Sequence, residues 1–197
     1  GDAGGINTLT GVLMSGDEHF FHVVQKDSNI SFIEVDDKSF EDPTGILGDW
    51  AFCHASWNPD PVSQYALVHN FPNIHLSTAA DLEWAALMRA GNIASISQDL
   101  GTTVNSGDTL TVTFSVASAL TGGETGSTAG SGILDATLMV DGTPYTLTVN
   151  TSGLAVDTWT SYTNTVTIGN TGNLSLEFDI ASGVMWLDNI SDVKREE

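Results

Sequence analysis

The chain has 197 residues, 41% of them hydrophobic, which allows one domain with a real core, alone or with an extension, and excludes global disorder. Twenty-five acidic residues against five basic ones give a formal charge of −20; that excludes nucleic acid and anionic membrane surfaces, which need a basic footprint, and leaves metal cations, cationic surfaces or a solubility coat. A single cysteine, Cys53, excludes an intrachain disulfide, a zinc cluster and a CxxC redox pair, and no run is apolar for long enough to insert in a membrane.

Residues 1–29 differ from the rest. Gly1-Asp-Ala-Gly-Gly5 is a flexible leader, and its start at Gly rather than Met suggests processing. Two β-prone runs follow, Thr8–Met14 and His19–Val24, joined by the turn chemistry of Ser15-Gly-Asp-Glu18. They read as a hairpin added to the domain, or as an arm that pairs with another copy through Leu9, Val12, Phe20, Phe21 and Val23.

Asn29–Val35 is the first strand. From Thr44 to Asn73 the chain is rich in proline and aromatics, the composition of a long functional or tightly packed loop. Asp81–Ala90 has helical propensity, but its neighbours are sheet-like and a strand is expected. Ala94–Leu100 and Thr109–Val116 alternate strictly, with a turn at Val104–Asp108. Ile133–Val140 and Tyr145–Val149 form a hairpin across Asp141-Gly142. Trp159–Ile168 is a further strand. Leu174–Ile180 places Leu174, Leu176, Phe178 and Ile180 on one face, and Gly183 is expected to close a hairpin with Val184–Ile190. That last run is apolar on both faces except for Asp188, a carboxylate that needs a partner. Residues 194–197, Lys-Arg-Glu-Glu, read as a charged tail. Many short strands separated by turns predict an all-β antiparallel sandwich over 30–193.

The order of three segments resembles a secreted jelly-roll family, the galactose-binding-like β-sandwiches used as carbohydrate-binding modules and the related jelly rolls of bacterial surface and matrix proteins. The segments are Ser39-Phe-Glu-Asp-Pro43 with Gly48-Asp-Trp50, Ala94-Ser-Ile-Ser-Gln-Asp-Leu100 with Ser106-Gly-Asp-Thr-Leu-Thr-Val-Thr-Phe114, and Trp186-Leu-Asp-Asn-Ile190. The resemblance implies a jelly roll whose first and last strands share a calcium ion, with Glu41 and Asp188 as carboxylate ligands and loop carbonyls completing six to eight oxygens. The alternative is that Asp188 accepts backbone N–H groups at the sheet edge and Glu41 is exposed. The resemblance, the scarcity of Lys and the many Ser, Thr and Gly also imply an extracellular or cell-surface protein.

Chemistry-bearing motifs for hydrolysis, phosphate binding or metal-dependent catalysis are absent from the sequence, so a protein without catalytic activity is expected. Two readings remain. In the first, the chain is a structural subunit that assembles with other copies of itself into a filament, sheath or matrix by strand addition, stabilised by calcium. In the second it is a carbohydrate-binding module whose loop aromatics, Trp50, Trp57, Tyr65 and Trp84, stack on glycans; the competing role for each ring is core packing.

Overall fold

A computed structural model describes residues 9–12, 18–21, 29–41, 44–47, 50–52, 56–60, 67–68, 79–81, 84–90, 94–118, 120–121, 128–129, 132–154 and 158–197. In chain order the strands are β1 (Leu9–Val12), β2 (Glu18–Phe21), β3 (Ile30–Ile33), β4 (Thr44–Leu47), β5 (Trp50–Phe52), β6 (Asn58–Asp60), β7 (Leu67–Val68), β8 (Ala85–Arg89) and β9 (Ser95–Val104). They continue as β10 (Thr109–Ser118), β11 (Leu120–Thr121), β12 (Thr128–Ala129), β13 (Ile133–Val140), β14 (Thr143–Asn150), β15 (Trp159–Thr167), β16 (Gly172–Ser182), β17 (Val184–Asp188) and β18 (Val193–Glu196). Every described pairing is antiparallel.

Two large sheets form the body. One has five strands in the order β14-β13-β16-β9-β6. The other has nine, β3-β18-β10-β17-β8-β7-β5-β4, with β15 on the far side of β10. Their facing sides carry the alternate residues of each strand. Leu174, Leu176, Phe178 and Ile180 of β16 meet Leu110, Val112, Phe114 and Val116 of β10 in one core. A chain of rings crosses it: Phe40 to Trp57 at 5.6 Å, Trp57 to Phe178 at 6.4 Å, Phe178 to Phe114 at 5.1 Å edge-on, and Phe114 stacked on Tyr162 at 6.1 Å. Aromatic truncation in such a core costs about 3–5 kcal/mol.

Local chemistry sets the turns. Asp141 and Gly142 both adopt positive φ, 44° and 80°, between paired Val140 and Thr143, as a two-residue hairpin requires. Ala85–Arg89 is a strand, as its surroundings predicted, and pairs with β17.

Gly183, in contrast, does not close a hairpin. β16 lies in the five-stranded sheet between β13 and β9, whereas β17 lies in the nine-stranded sheet between β10 and β8. The turn at Gly183 (φ 83°) carries the chain from one sheet to the other. Each run buries its apolar face in the shared interior, which two strands of one sheet cannot do across the core. Residues 194–196 are likewise not a tail but part of β18, threaded between β3 and β10. Val193 points inward, and Arg195 is held by Asp108 at 2.8 Å with both side chains nearly sealed from water.

β1 and β2 pair with each other in register Leu9↔Phe21 to Val12↔Glu18. Leu9, Val12, Phe20 and Phe21 therefore each have a strand partner within their own chain. Val23 lies outside the described residues.

Candidate functional site

The outward face of the nine-stranded sheet carries the most chemistry. Across β10 and β15 it is a ladder of hydroxyl pairs, Thr109–Thr167, Thr111–Thr165, Thr113–Thr163 and Ser115–Ser161, 3.0–3.3 Å apart. On the other side of β10, the register sets Lys194 beside Thr111 and Phe32 beside Lys194. Phe32 is 67% exposed and Ile30 55%, and Phe32 is the largest apolar side chain open to water among the described residues.

Phe32 forms one wall of a groove of about 460 Å³ that also takes in Lys38, Asp81, Thr111, Thr113, Asn189, Asp192 and Lys194. A tight turn builds the opposite wall. Asp37 (φ 46°) and Phe40 (φ 57°) both lie in the left-handed region, and Phe40 N–H donates to Asp37 C=O at 3.0 Å. A phenylalanine there is strained by about 1 kcal/mol or more, offset by full burial of its ring in the core. The result is that Phe40 points in while Lys38 and Ser39 face the groove. Lys38 Nζ donates to both Asp192 oxygens at 2.9 Å, and Val35 N–H donates to Asp192 Oδ1 at 3.1 Å. Burial opposes and these donors favour the Asp192 anion, whose pKa is held below the usual carboxylate value. Asn189 takes positive φ (49°), which an asparagine tolerates, at the bend between β17 and β18.

Asp188 bonds to the backbone of Ala80 and Asp81, and Glu41 to that of Trp84, beside this groove. Ile190 N–H donates to Lys38 C=O at 2.9 Å, so the entering and leaving stretches run side by side. Asp188, fully buried, accepts N–H groups from Ala80 (2.8 Å) and Asp81 (3.0 Å) on Oδ2 and from Asn189 (2.7 Å) on Oδ1. Glu41 Oε1 accepts Trp84 N–H at 2.7 Å, and Ser39 O–H donates to Asp81 at 2.9 Å. Three carboxylates, those of Asp188, Asp81 and Glu41, thus tie Ala80, Asp81 and Trp84 to the sheet and to Ser39. Burial pushes Asp188 up to about 7 against the three amides that favour its anion, with the Asp81 charge adding to the rise.

The donor set suits a cation in part. Oδ2 of Asp188 accepts two N–H groups and Oδ1 accepts one. No cluster of three or more His, Cys, Asp or Glu side chains fit for a metal occurs among the described residues, so backbone carbonyls would have to supply most of a calcium shell.

Two of the loop tryptophans, Trp57 and Trp84, do not offer a platform. Trp57 is 2% exposed, with both faces in the ring chain and its indole N–H donated to Asp37 C=O at 3.1 Å. Trp84 is 7% exposed and packs in the same core. Stacking on a sugar needs an open ring face, and neither has one. Trp50 lies in β5, where only the backbone is described, and Tyr65 falls outside the described residues. Phe32, Lys38, Asn189, Asp192 and Lys194 were missed by the sequence reading. The available signal was Asn29–Val35 itself, apolar on both faces (Ile30 and Phe32 on one, Ile33 and Val35 on the other) with only one face needed for the core.

No protein-family model matches the chain, and no curated protein matches its sequence. Solved structures match in shape. The Stig cyclase Fisc from Fischerella sp. TAU, solved with a pyrrolidinylidene-indole compound, aligns with TM-score 0.65 at 14% identity over 85% of this chain and 98% of that one. The chain has the jelly-roll fold. The TmCBM61 module, solved with β-1,4-galactotriose, aligns at TM-score 0.49 and 14% identity over 83% and 97%. The CBM22-1 xylan-binding domain of Paenibacillus barcinonensis Xyn10C aligns at 0.45 and 15% over 80% and 91%. At these identities the likeness is one of fold.

Proposed function

We propose that this chain is a glycan-binding module without a reaction of its own, and that the sugar lies in the groove at Phe32. The observation that carries the reading is the open Phe32 ring beside a set of polar groups already fixed in place. A sugar presents an apolar C–H face and a rim of hydroxyls. Phe32 supplies the surface for the first. The rigid Lys38–Asp192 pair, Asn189 and Asp81 supply donors and acceptors for the second, at little ordering cost on binding. Within the same proposal, Glu41 and Asp188 would hold a calcium ion, which would compensate the sealed Asp188 charge and stiffen the 79–84 segment beside the groove.

The test is affinity electrophoresis over a panel of neutral polysaccharides with the wild type, Phe32→Ala, and Ile133→Ala as a control for loss of another exposed apolar side chain. At least one polysaccharide should retard the wild type, and Phe32→Ala should weaken that interaction by about tenfold or more. Its stability should stay within about 0.5 kcal/mol of wild type, because the ring is mostly in water. Retardation by none of the polysaccharides, or equal retardation of Phe32→Ala, overturns the reading.

A further inference from the structure

The open side of β3 is a second feature, argued from backbone pairing rather than from the sugar groove, with which it shares Phe32. Among the described residues, β3 ends its sheet and pairs with β18 alone. Glu197 N–H donates to Asn29 C=O at 3.1 Å, in register with Ser31↔Arg195 and Ile33↔Val193. Antiparallel pairing alternates, so residues 29, 31 and 33 bond to β18 and the backbone N–H and C=O of Ile30, Phe32 and Glu34 point away from it. The next residue of that parity, Asp36, shows what such groups accept. The side-chain amide of buried Gln98 takes both of its backbone groups, Asp36 N–H to Gln98 Oε1 at 2.8 Å and Gln98 Nε2 to Asp36 C=O at 3.0 Å, as a neighbouring strand would. Upstream of that clamp the edge opens onto a groove of about 410 Å³ between β3 and β9.

We propose that this edge binds an extended peptide segment of another protein, one that carries both apolar and basic residues. Main-chain bonds to Ile30, Phe32 and Glu34 would continue the pairing that Gln98 begins, a mode of recognition open to any bare sheet edge. The side chains fix the partner's chemistry. Ile30 and Phe32 flank the strand with exposed apolar surface. Glu34, Asp36 and Asp99, all exposed, line the groove. Arg195, the one cation among the described residues lining it, is committed to Asp108 and Glu197. A second copy of this chain is the poorer occupant on charge: the molecule carries −20, and residues 1–28 hold Asp2, Asp17, Glu18 and Asp27 against Lys26.

The experiment is fluorescence anisotropy at physiological salt, where weak long-range attraction is screened. The probes are a labelled Val/Lys alternating decapeptide, its Val/Glu counterpart, a Val/Lys version N-methylated at alternate amides, and a peptide of residues 5–14 of this chain. The Val/Lys peptide should bind, and the Val/Glu and N-methylated peptides should bind about tenfold or more weakly. Glu34→Lys combined with Asp99→Lys, both at exposed positions, should weaken the Val/Lys peptide by a similar factor while leaving Phe32 and the sugar groove intact. Hydrogen exchange at Ile30 and Phe32 should slow on binding. Absence of Val/Lys binding, equal binding of the N-methylated peptide, or no effect of the double variant overturns the proposal. Tighter binding of the 5–14 peptide overturns it in favour of self-association.

Discussion

The two outward faces of this sandwich share one interior and differ in almost everything else. On the five-stranded sheet the register sets Asp135 opposite Asp179, and Thr137, Glu177, Ser97 and Asn58 in one row. That face is acidic, and its groove near Asn58, Asp99 and Glu177 is lined by no ring. The nine-stranded face carries the hydroxyl ladder, Phe32, and two of the chain's five basic residues, Lys38 and Lys194, with a third, Arg195, behind them. Inward residues are constrained by packing and specify the fold. Outward residues are free, so the clustering of a ring with rare cations on one face is informative, and an acidic face on a chain of this charge is not.

The contrast is sharpest between two outward carboxylates, Asp188 and Asp179. Both have raised pKa values, Asp188 to about 7 and Asp179 by partial desolvation and then by Asp135. Asp188 is sealed, so its shift enters stability directly. Its folded pKa lies above its unfolded one, so the folded form holds a proton that the unfolded chain has already released. Stability from this group is full below the unfolded value near 3.8 and is lost as pH rises through about 7. The loss amounts to about 4 kcal/mol in metal-free protein. Denaturation in the presence of chelator should therefore show lower stability at pH 8 than at pH 5, and Asp188→Asn should flatten the slope. Calcium added at pH 8 should raise the midpoint by mass action, about 2.7 kcal/mol at a hundred times its Kd. An unchanged midpoint removes the ion; an unchanged slope in Asp188→Asn removes the titration argument.

A smaller effect separates the faces as binding surfaces. Glu177→Ala should leave polysaccharide retardation unchanged within about twofold, where Phe32→Ala loses about tenfold. The opposite ranking would move the site to the five-stranded sheet. The smallest effect concerns Asp179, which water screens. Asp179→Asn should stabilise at pH 7 by no more than about 0.5 kcal/mol, measured by chemical denaturation, because it removes a like-charge pair at the surface. A gain several times larger would mean that this face is less solvated than its exposure indicates.

Period-2 alternation made the sandwich legible, since β9 and β16 each bury one side only, as does β10 as far as Phe114. Asp141-Gly142 marked its hairpin because two consecutive positive φ values restrict the residue choice. Asp188 stood out because a carboxylate in an apolar strand must be satisfied. Proximity in sequence misled at Gly183, where the same short turn serves a hairpin or a crossing between sheets and only the interior decides. Composition misled at Lys194–Glu196, since a strand between two others needs main-chain partners more than apolar side chains. The loop tryptophans were judged by residue type, and what buries Trp57 is a contact with Phe178, 121 positions away, that no local pattern encodes.

The placement of β18 between β3 and β10 has a consequence for biosynthesis. Val35 and Asp192, bonded across this seam, are 157 positions apart. While the ribosome is still making the intervening segments, Ile30–Ile33 lacks β18, its described strand partner, and its apolar flank is bare to water. Closure of the sheet on that side must wait until translation has passed Glu196, a late, long-range step of the kind that slows all-β folding.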